Sequence, residues 1–263
     1  MRRTPDRTRS PLAVVLLSGG MDSATTLAIA RSRGFRVITL TVLYGQRHDR
    51  EVRSARRLAR HYGAEESLVV RLPLRELAPS SLTRREWSLP RDRSPTEMGR
   101  GIPSTYVPAR NTIFLSLALA VAESRGARAI YLGVNALDYS GYPDCRPSFL
   151  QAFQRLIPVA TATRERSPRS PIIRLAAPLI HKTKADIVRW GERLRVPWQF
   201  TWSCYRGGTE PCGRCDSCLL REKGFSEAGR PDPLRHPPHE RKAGSGGIRV
   251  KGRRAGSRSP PRG

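Results

Sequence analysis

Long apolar runs are missing from this chain. No stretch approaches the ~18 consecutive apolar residues of a membrane span, and the run Leu12 to Leu17 is too short for a secretory signal and ends in a glycine loop. Aromatic residues make up 6% and apolar residues 38% of the 263 positions, lean for a globular chain of this length. Part of the chain is therefore expected to stay solvated. Cysteine is scarce as well, and four of the five crowd between Cys204 and Cys218. That excludes a disulfide framework spread along the chain and suits a metal cluster in a reducing compartment, so the expected location is cytoplasmic. Acidic residues are the third shortage: Asp and Glu total 22 against 48 Lys and Arg, a net charge of +26. The balance favours anionic partners and a weak, non-specific attraction to RNA in low salt.

Much of the basic excess lies at the ends. Residues 1–11 and 227–263 are rich in Arg, Pro, Gly and Ser without apolar periodicity. They are expected to be a disordered basic N-terminus and a disordered basic tail, because ordering costs about 1–2 kcal/mol per residue that no buried surface offsets. Between them the pattern divides into an α/β domain, 12–200, and a four-cysteine segment, 201–226. The spacing predicts strands at about 12–17, 35–43, 66–72, 127–134 and 172–176, and helices at about 23–33, 49–62, 112–124, 147–160 and 184–194. Such alternation implies a parallel sheet with helices on both faces. The stretch 73–103 has no period and many turn formers, which suggests a structureless, mobile functional loop.

The first strand runs directly into Ser18-Gly19-Gly20-Met21-Asp22-Ser23 and then a helix. Glycines at such a junction let backbone N–H groups and the helix dipole face an anion, and permit close approach of a pyrophosphate. Ser18 and Ser23 add hydroxyls, while Asp22 suits a Mg²⁺ ion or the shaping of the loop. A plain tight turn with a capping Ser23 or Asp22 is the ordinary alternative. The loop is neither GxxxxGK[ST] nor GxGxxG. In its strand-to-helix setting it resembles the signature of the N-type ATP pyrophosphatases, which split ATP between the α and β phosphates and adenylate a substrate oxygen.

Cys204, Cys212, Cys215 and Cys218 offer four thiolates in one local loop, with glycines and a proline to turn the chain between them. Four sulfurs at ~2.3 Å satisfy tetrahedral zinc. An iron–sulfur cluster uses similar spacings, though confinement to one loop favours zinc. Cys145 stands apart, as a small core residue or a nucleophile.

Further segments accompany the loop and the cysteines: Tyr106-Val107-Pro108-Ala109-Arg110-Asn111, Asp138-Tyr139-Ser140-Gly141-Tyr142-Pro143-Asp144-Cys145-Arg146, and Pro178-Leu179-Ile180-His181-Lys182-Thr183-Lys184. Together, in this order and over about 12–225, they resemble the 7-cyano-7-deazaguanine synthase family. The resemblance implies a Rossmann-like, adenine nucleotide alpha hydrolase-like three-layer domain with a small C-terminal zinc-binding segment. It implies a ligase forming carbon–nitrogen bonds, which turns 7-carboxy-7-deazaguanine, ammonia and ATP into the nitrile in queuosine biosynthesis. One structural Zn²⁺ per chain, Mg²⁺ with ATP and a homodimer are implied too, with neither membrane nor nucleic acid required.

On this reading ATP is held by Leu16, Leu17, Ser18, Gly19, Gly20, Met21, Asp22, Ser23, Ala24, Thr25 and Thr26, and the catalytic set is Asp22, Lys184 and Arg110. Lys184 lies in a helix's first turn after Thr183, with Asp186 completing a capping box. A cation is misplaced there for the dipole, so a phosphate is its expected partner. Arg110 is suited to neutralise phosphate or to clamp a carboxylate, and Asn111 to cap the helix after it. Asp138, Tyr142 and Asp144 are the expected substrate contacts: a carboxylate for the guanine-like edge and a ring to stack on the base. For either Asp, hydrogen bonding within the loop is the alternative. Two rival readings are a tRNA-base adenylating enzyme, whose thiolating form wants free cysteines, and a zinc-ribbon nucleic-acid binder, which wants more aromatics than are present.

Overall fold

The computed structural model describes residues 10–135, 141–166 and 171–234. β1 (Leu12–Leu16) leads into α1 (Met21–Ser32), β2 (Arg36–Leu43), α2 (Arg50–His61) and β3 (Glu66–Arg71). Two short helices follow, α3 (Leu74–Leu77) and α4 (Pro95–Met98), and then α5 (Arg110–Ser124) and β4 (Ala129–Tyr131). The remainder is α6 (Pro147–Ala160), α7 (Thr163–Arg166), β5 (Arg174–Ala176), α8 (Lys184–Arg193) and α9 (Asp216–Glu227).

The strands form one sheet in the order β3-β2-β1-β4-β5, and every pairing is parallel. In β1 the alternation of side chains feeds two cores. Val14 and Leu16 pack with Leu115, Ala118 and Ala122 of α5 and with Phe153 and Ile157 of α6. Ala13, Val15 and Leu17 pack with α1, α2, Ile187 and Val188 of α8, and Phe225 of α9. The result is the expected three-layer α/β domain: helices on both faces of a parallel sheet whose central strand is fully enclosed. The chain builds β1, β2 and β3 outward in one direction and then crosses back to place β4 on the other side of β1. The carboxyl ends of β1 and β4 thus flank a topological switch point, where open α/β sheets leave a crevice.

Three expectations change. The segment 73–103 is not structureless. It contains α3 and α4, buries Ser80, Ser81, Thr83 and Leu82, and is stitched down by Arg47, whose guanidinium donates to the carbonyls of Ser81 (2.9 Å), Arg84 (2.8 Å) and Trp87. Its far end docks on the cysteine segment, where Asp92 N–H donates to Arg214 O at 2.8 Å and Arg93 pairs with buried Asp216. Its polar residues find partners distant in sequence, which no local period reveals. The second change concerns the ends. Pro11 O accepts from Arg36 N, and Asp232 pairs with Arg221, which is 1% exposed. Residues 10–11 and 227–234 therefore belong to the folded body, Glu227 as the last residue of α9; residues 1–9 and 235–263 lie outside the described part. Third, Asn111 is not a cap: α5 starts one residue before it, with Ala109 at the N-cap.

Candidate active site

A cavity of about 250 Å³ opens at the switch point, walled by the loop after β1, the starts of α1, α2 and α5, the chain after β4, and the cysteine segment. The loop is shaped by its own groups. Gly19 takes φ +89°, and a Cβ there would lie 2.3 Å from Glu51 O, so only glycine lets α2 come this close. Ser23 Oγ donates to Gly20 O at 3.0 Å and accepts from Gly19 N at 3.2 Å, and Gly20 N donates to Ser18 Oγ at 3.3 Å. Opposite, Gly133 lets the chain after β4 approach the first turn of α1, where a Cβ would meet backbone atoms of Asp22 and Ser23 at 3.0 Å.

Asp22 and Lys184 join two distant elements across this cavity. Lys184, at the start of α8, is buried, and its Nζ donates to Asp22 Oδ2 at 2.6 Å. Thr183 and Asp186 form the expected capping box that fixes this end of α8. Asp22 Oδ1 is buried and has no hydrogen-bond partner among the described residues, leaving an unused acceptor on a residue of the cavity wall. That orphaned oxygen fits a divalent cation, for which carboxylate oxygens are the natural ligands.

Arg110 enters from the start of α5. Its predecessor Ala109 holds φ +54° and ψ +17°, a left-handed conformation unfavourable for a residue with a Cβ; this strained corner turns the chain from the 107–109 loop into α5. Burial opposes the charge of Arg110, but Tyr44, Tyr142, Cys145 and Asp144 together hold its pKa above the usual guanidinium value. It donates to Tyr44 Oη at 3.4 Å. Burial in turn pushes the Tyr44 phenol up to about 12 and the Cys145 thiol up to about 11. Cys145 is therefore a protonated thiol at neutral pH, accepting from Asn111 Nδ2 at 3.2 Å.

Of the expected ATP contacts, Leu16, Leu17, Ser18, Gly20, Met21, Asp22 and Ser23 line the cavity, together with Lys184, Arg110, Tyr142 and Cys145. Gly19, Ala24, Thr25 and Thr26 do not: Gly19 faces α2, and the other three turn into the core of α1, where they are buried. Tyr142 lines the wall with its hydroxyl bonded to Thr105 at 2.7 Å. Asp144 is placed differently from the expectation. It is absent from the cavity wall, and its Oδ2 accepts from Asn111 N at 2.9 Å, while its carbonyl accepts from Asn111 Nδ2 at 3.0 Å. An acidic group there satisfies an orphan N–H at the start of α5 and complements its dipole. Asp138 lies outside the described residues.

The reading of the sequence passed over Glu51, which is half-buried on the cavity wall. Burial pushes its carboxyl up to about 7, against the opposing pull of Arg110. It looked like one charge among many on the basic helix α2; the signal was its isolation as an acid among arginines. Tyr44, Trp202 and Tyr205, which also line the cavity, carried no such signal.

The cysteine segment is part of the same site. Trp202 N donates to Gly19 O at 2.9 Å, and Trp202, Ser203, Tyr205, Ser217 and Leu220 wall the cavity. Behind them the sulfurs of Cys204, Cys212, Cys215 and Cys218 all lie within 4.8 Å of one another. Cys212 N donates to Cys204 Sγ at 3.3 Å and Cys215 N to Cys212 Sγ at 3.4 Å, the kind of amide support that favours thiolate over thiol. Four converging, mostly buried sulfurs of this kind can hold one metal ion. His48 Nε2 shares a 2.9 Å hydrogen bond with Cys204 O, tying the cluster to the chain just before α2. Among the described residues no helix is long and apolar enough to cross a membrane.

Residues 12–229 match the family described as "Queuosine biosynthesis protein QueC". A 7-cyano-7-deazaguanine synthase from Anaeromyxobacter sp. (strain Fw109-5) is 55% identical over 84% of this chain and 94% of its own length. One from Thermoplasma acidophilum is 50% identical over 85% and 91%. Among solved structures, NMN synthetase from Francisella tularensis is similar with a TM-score of 0.44 and 14% identity, over 85% of this chain and 79% of that one.

Proposed function

We propose, since the chain belongs to the queuosine biosynthesis QueC family, that it is a ligase converting 7-carboxy-7-deazaguanine, ammonia and ATP into 7-cyano-7-deazaguanine. The observation that carries the reading is a single cavity joining the Ser18–Ser23 loop to Lys184 and Arg110. A carboxylate oxygen and an amide oxygen are both poor leaving groups, and transfer of AMP to each makes it one. The same site therefore serves twice: ammonia displaces AMP from the activated acid to give the amide, and the activated amide then loses AMP to give the nitrile.

In this scheme the loop from Ser18 to Ser23 binds the phosphates. Arg110 and Lys184 offset the negative charge that develops as pyrophosphate departs. Asp22 holds Lys184 with Oδ2, and its unpartnered Oδ1 would be the carboxylate ligand for Mg²⁺ bound with ATP. Tyr142 packs beside the base, and Asp138 is the carboxylate left to read its edge. Cys204, Cys212, Cys215 and Cys218 would hold one Zn²⁺, whose chemistry here is structural cross-linking of the segment that walls the cavity. We place the enzyme in the cytoplasm as a homodimer without a nucleic-acid requirement; its basic excess gives only a salt-sensitive, non-specific attraction to RNA. Incubation with the acid, ammonium, Mg²⁺ and ATP is expected to give nitrile with two AMP per product. ADP in place of AMP, or no nitrile, would overturn the reading.

A further inference from the structure

Among the described residues two carboxylates line the cavity, Asp22 and Glu51. Asp22 is committed to Lys184, and Asp144, the nearby third acid, is turned away to the start of α5. Glu51 differs from both. Among the described residues its carboxylate takes part in no hydrogen bond or ion pair. Its place is fixed, because the α2 backbone at Glu51 is packed directly on Gly19 of the phosphate loop. A partly buried acid that makes no hydrogen bond and has only the longer-range pull of Arg110 is costly to keep, and this one stands on the helix packed against the Ser18–Ser23 loop.

The proposed chemistry needs such a group. When ammonia attacks the acyl carbon, the new C–N bond forms, the C–O bond to AMP breaks, and the nitrogen must shed a proton. In the second stage the activated amide loses its remaining N–H protons as the C–O bond to AMP breaks and the N–H electron pairs become C–N bonds. Other groups on the cavity wall are poorly matched: Asp22 and Lys184 are paired with each other, and Cys145, Tyr44 and Tyr142 are held protonated by burial.

Resting on the reading above, we propose that Glu51 is the catalytic base that accepts protons from the attacking ammonia and from the activated amide. The charged and titratable groups that act on it are Arg110 of α5, Tyr44 after β2 and Cys204 of the cysteine segment. With burial these leave its carboxyl near pH 7, where a base is best balanced between being ionised and being strong enough.

The test compares wild type with Glu51→Gln and Glu51→Asp. Three readouts are taken: nitrile formation across pH 5.5 to 9, KM for ATP, and exchange of pyrophosphate into ATP with the acid present and ammonia absent. Wild-type kcat is expected to rise with pH through about 7. E51Q is expected to lose kcat by on the order of 100-fold and to lose that rise, with KM for ATP and the exchange rate within about threefold of wild type; E51D is expected to recover part of the rate. Turnover of E51Q within threefold of wild type overturns the proposal. So does loss of exchange along with turnover, which assigns Glu51 to ATP binding or to the fold. If wild type itself makes no nitrile, the functional reading fails instead, so the two failures are distinct.

Discussion

Lys184 Nζ and Asp22 Oδ2 stand 2.6 Å apart across 162 positions of sequence, so the start of α8 is locked to the first turn of α1 by one buried ion pair. Removing one partner leaves the other as an uncompensated buried charge. Lys184→Met is expected to abolish AMP release and to lower stability by about 3 kcal/mol. Asp22→Asn should also abolish turnover. The double variant should regain stability relative to Lys184→Met alone, because no lone charge remains; denaturant unfolding of all four proteins checks this coupling. Strict additivity would mean that the pair does not hold the elements together.

The cysteine cluster predicts a metal content. Wild type should carry one zinc per chain by elemental analysis, and Cys215→Ser should lose it together with a large part of its thermal stability. Cys145→Ala should leave the zinc content unchanged, since Cys145 bonds to Asn111 and not to the cluster. Iron with a visible charge-transfer spectrum in the purified protein would favour a cluster instead.

Asp144 is expected to act on stability rather than on substrate affinity. Asp144→Ala removes the acceptor for Asn111 N–H at the start of α5, a loss of about 1–2 kcal/mol by analogy with helix caps. At a temperature where the variant is folded, KM for 7-carboxy-7-deazaguanine should stay within about threefold of wild type. A rise of tenfold or more would return Asp144 to the substrate.

Ala109 precedes Arg110 in a left-handed conformation. Ala109→Gly removes the clash of Cβ with the backbone there and should stabilise the protein by roughly 1 kcal/mol, less the added entropy of glycine in the unfolded chain. A thermal melt reads it directly. A fall in melting temperature would show that the corner is not strained.

Glu51 ties stability to pH. Its carboxyl titrates near 7 in the fold against an ordinary 4.5, so between these values the folded state binds the extra proton. Stability from this group is therefore fully present below pH 4.5 and is lost as pH rises through 7, by on the order of 3 kcal/mol. Glu51→Gln should be the more stable protein at pH 8, with the advantage shrinking towards pH 5. Equal stability at every pH would mean the carboxyl is solvated normally.

The local chemistry was legible in the sequence. A strand of Leu-Ala-Val-Val-Leu running into Ser-Gly-Gly, a Thr183–Asp186 capping box and four cysteines in one loop each declare themselves within a few residues, because backbone turns, caps and thiolate spacing depend on near neighbours. The parallel three-layer sheet followed from the same periodicities. What only the tertiary structure decided is which groups meet. Asp22 with Lys184, Asp144 with Asn111 and Trp202 with Gly19 are pairings across long loops, set by packing two cores against one sheet. The order of residues along the chain therefore does not disclose them. Nor does it disclose that Glu51, on a helix crowded with arginine, is the acid set against the Ser18–Ser23 loop with no hydrogen bond or ion pair among the described residues.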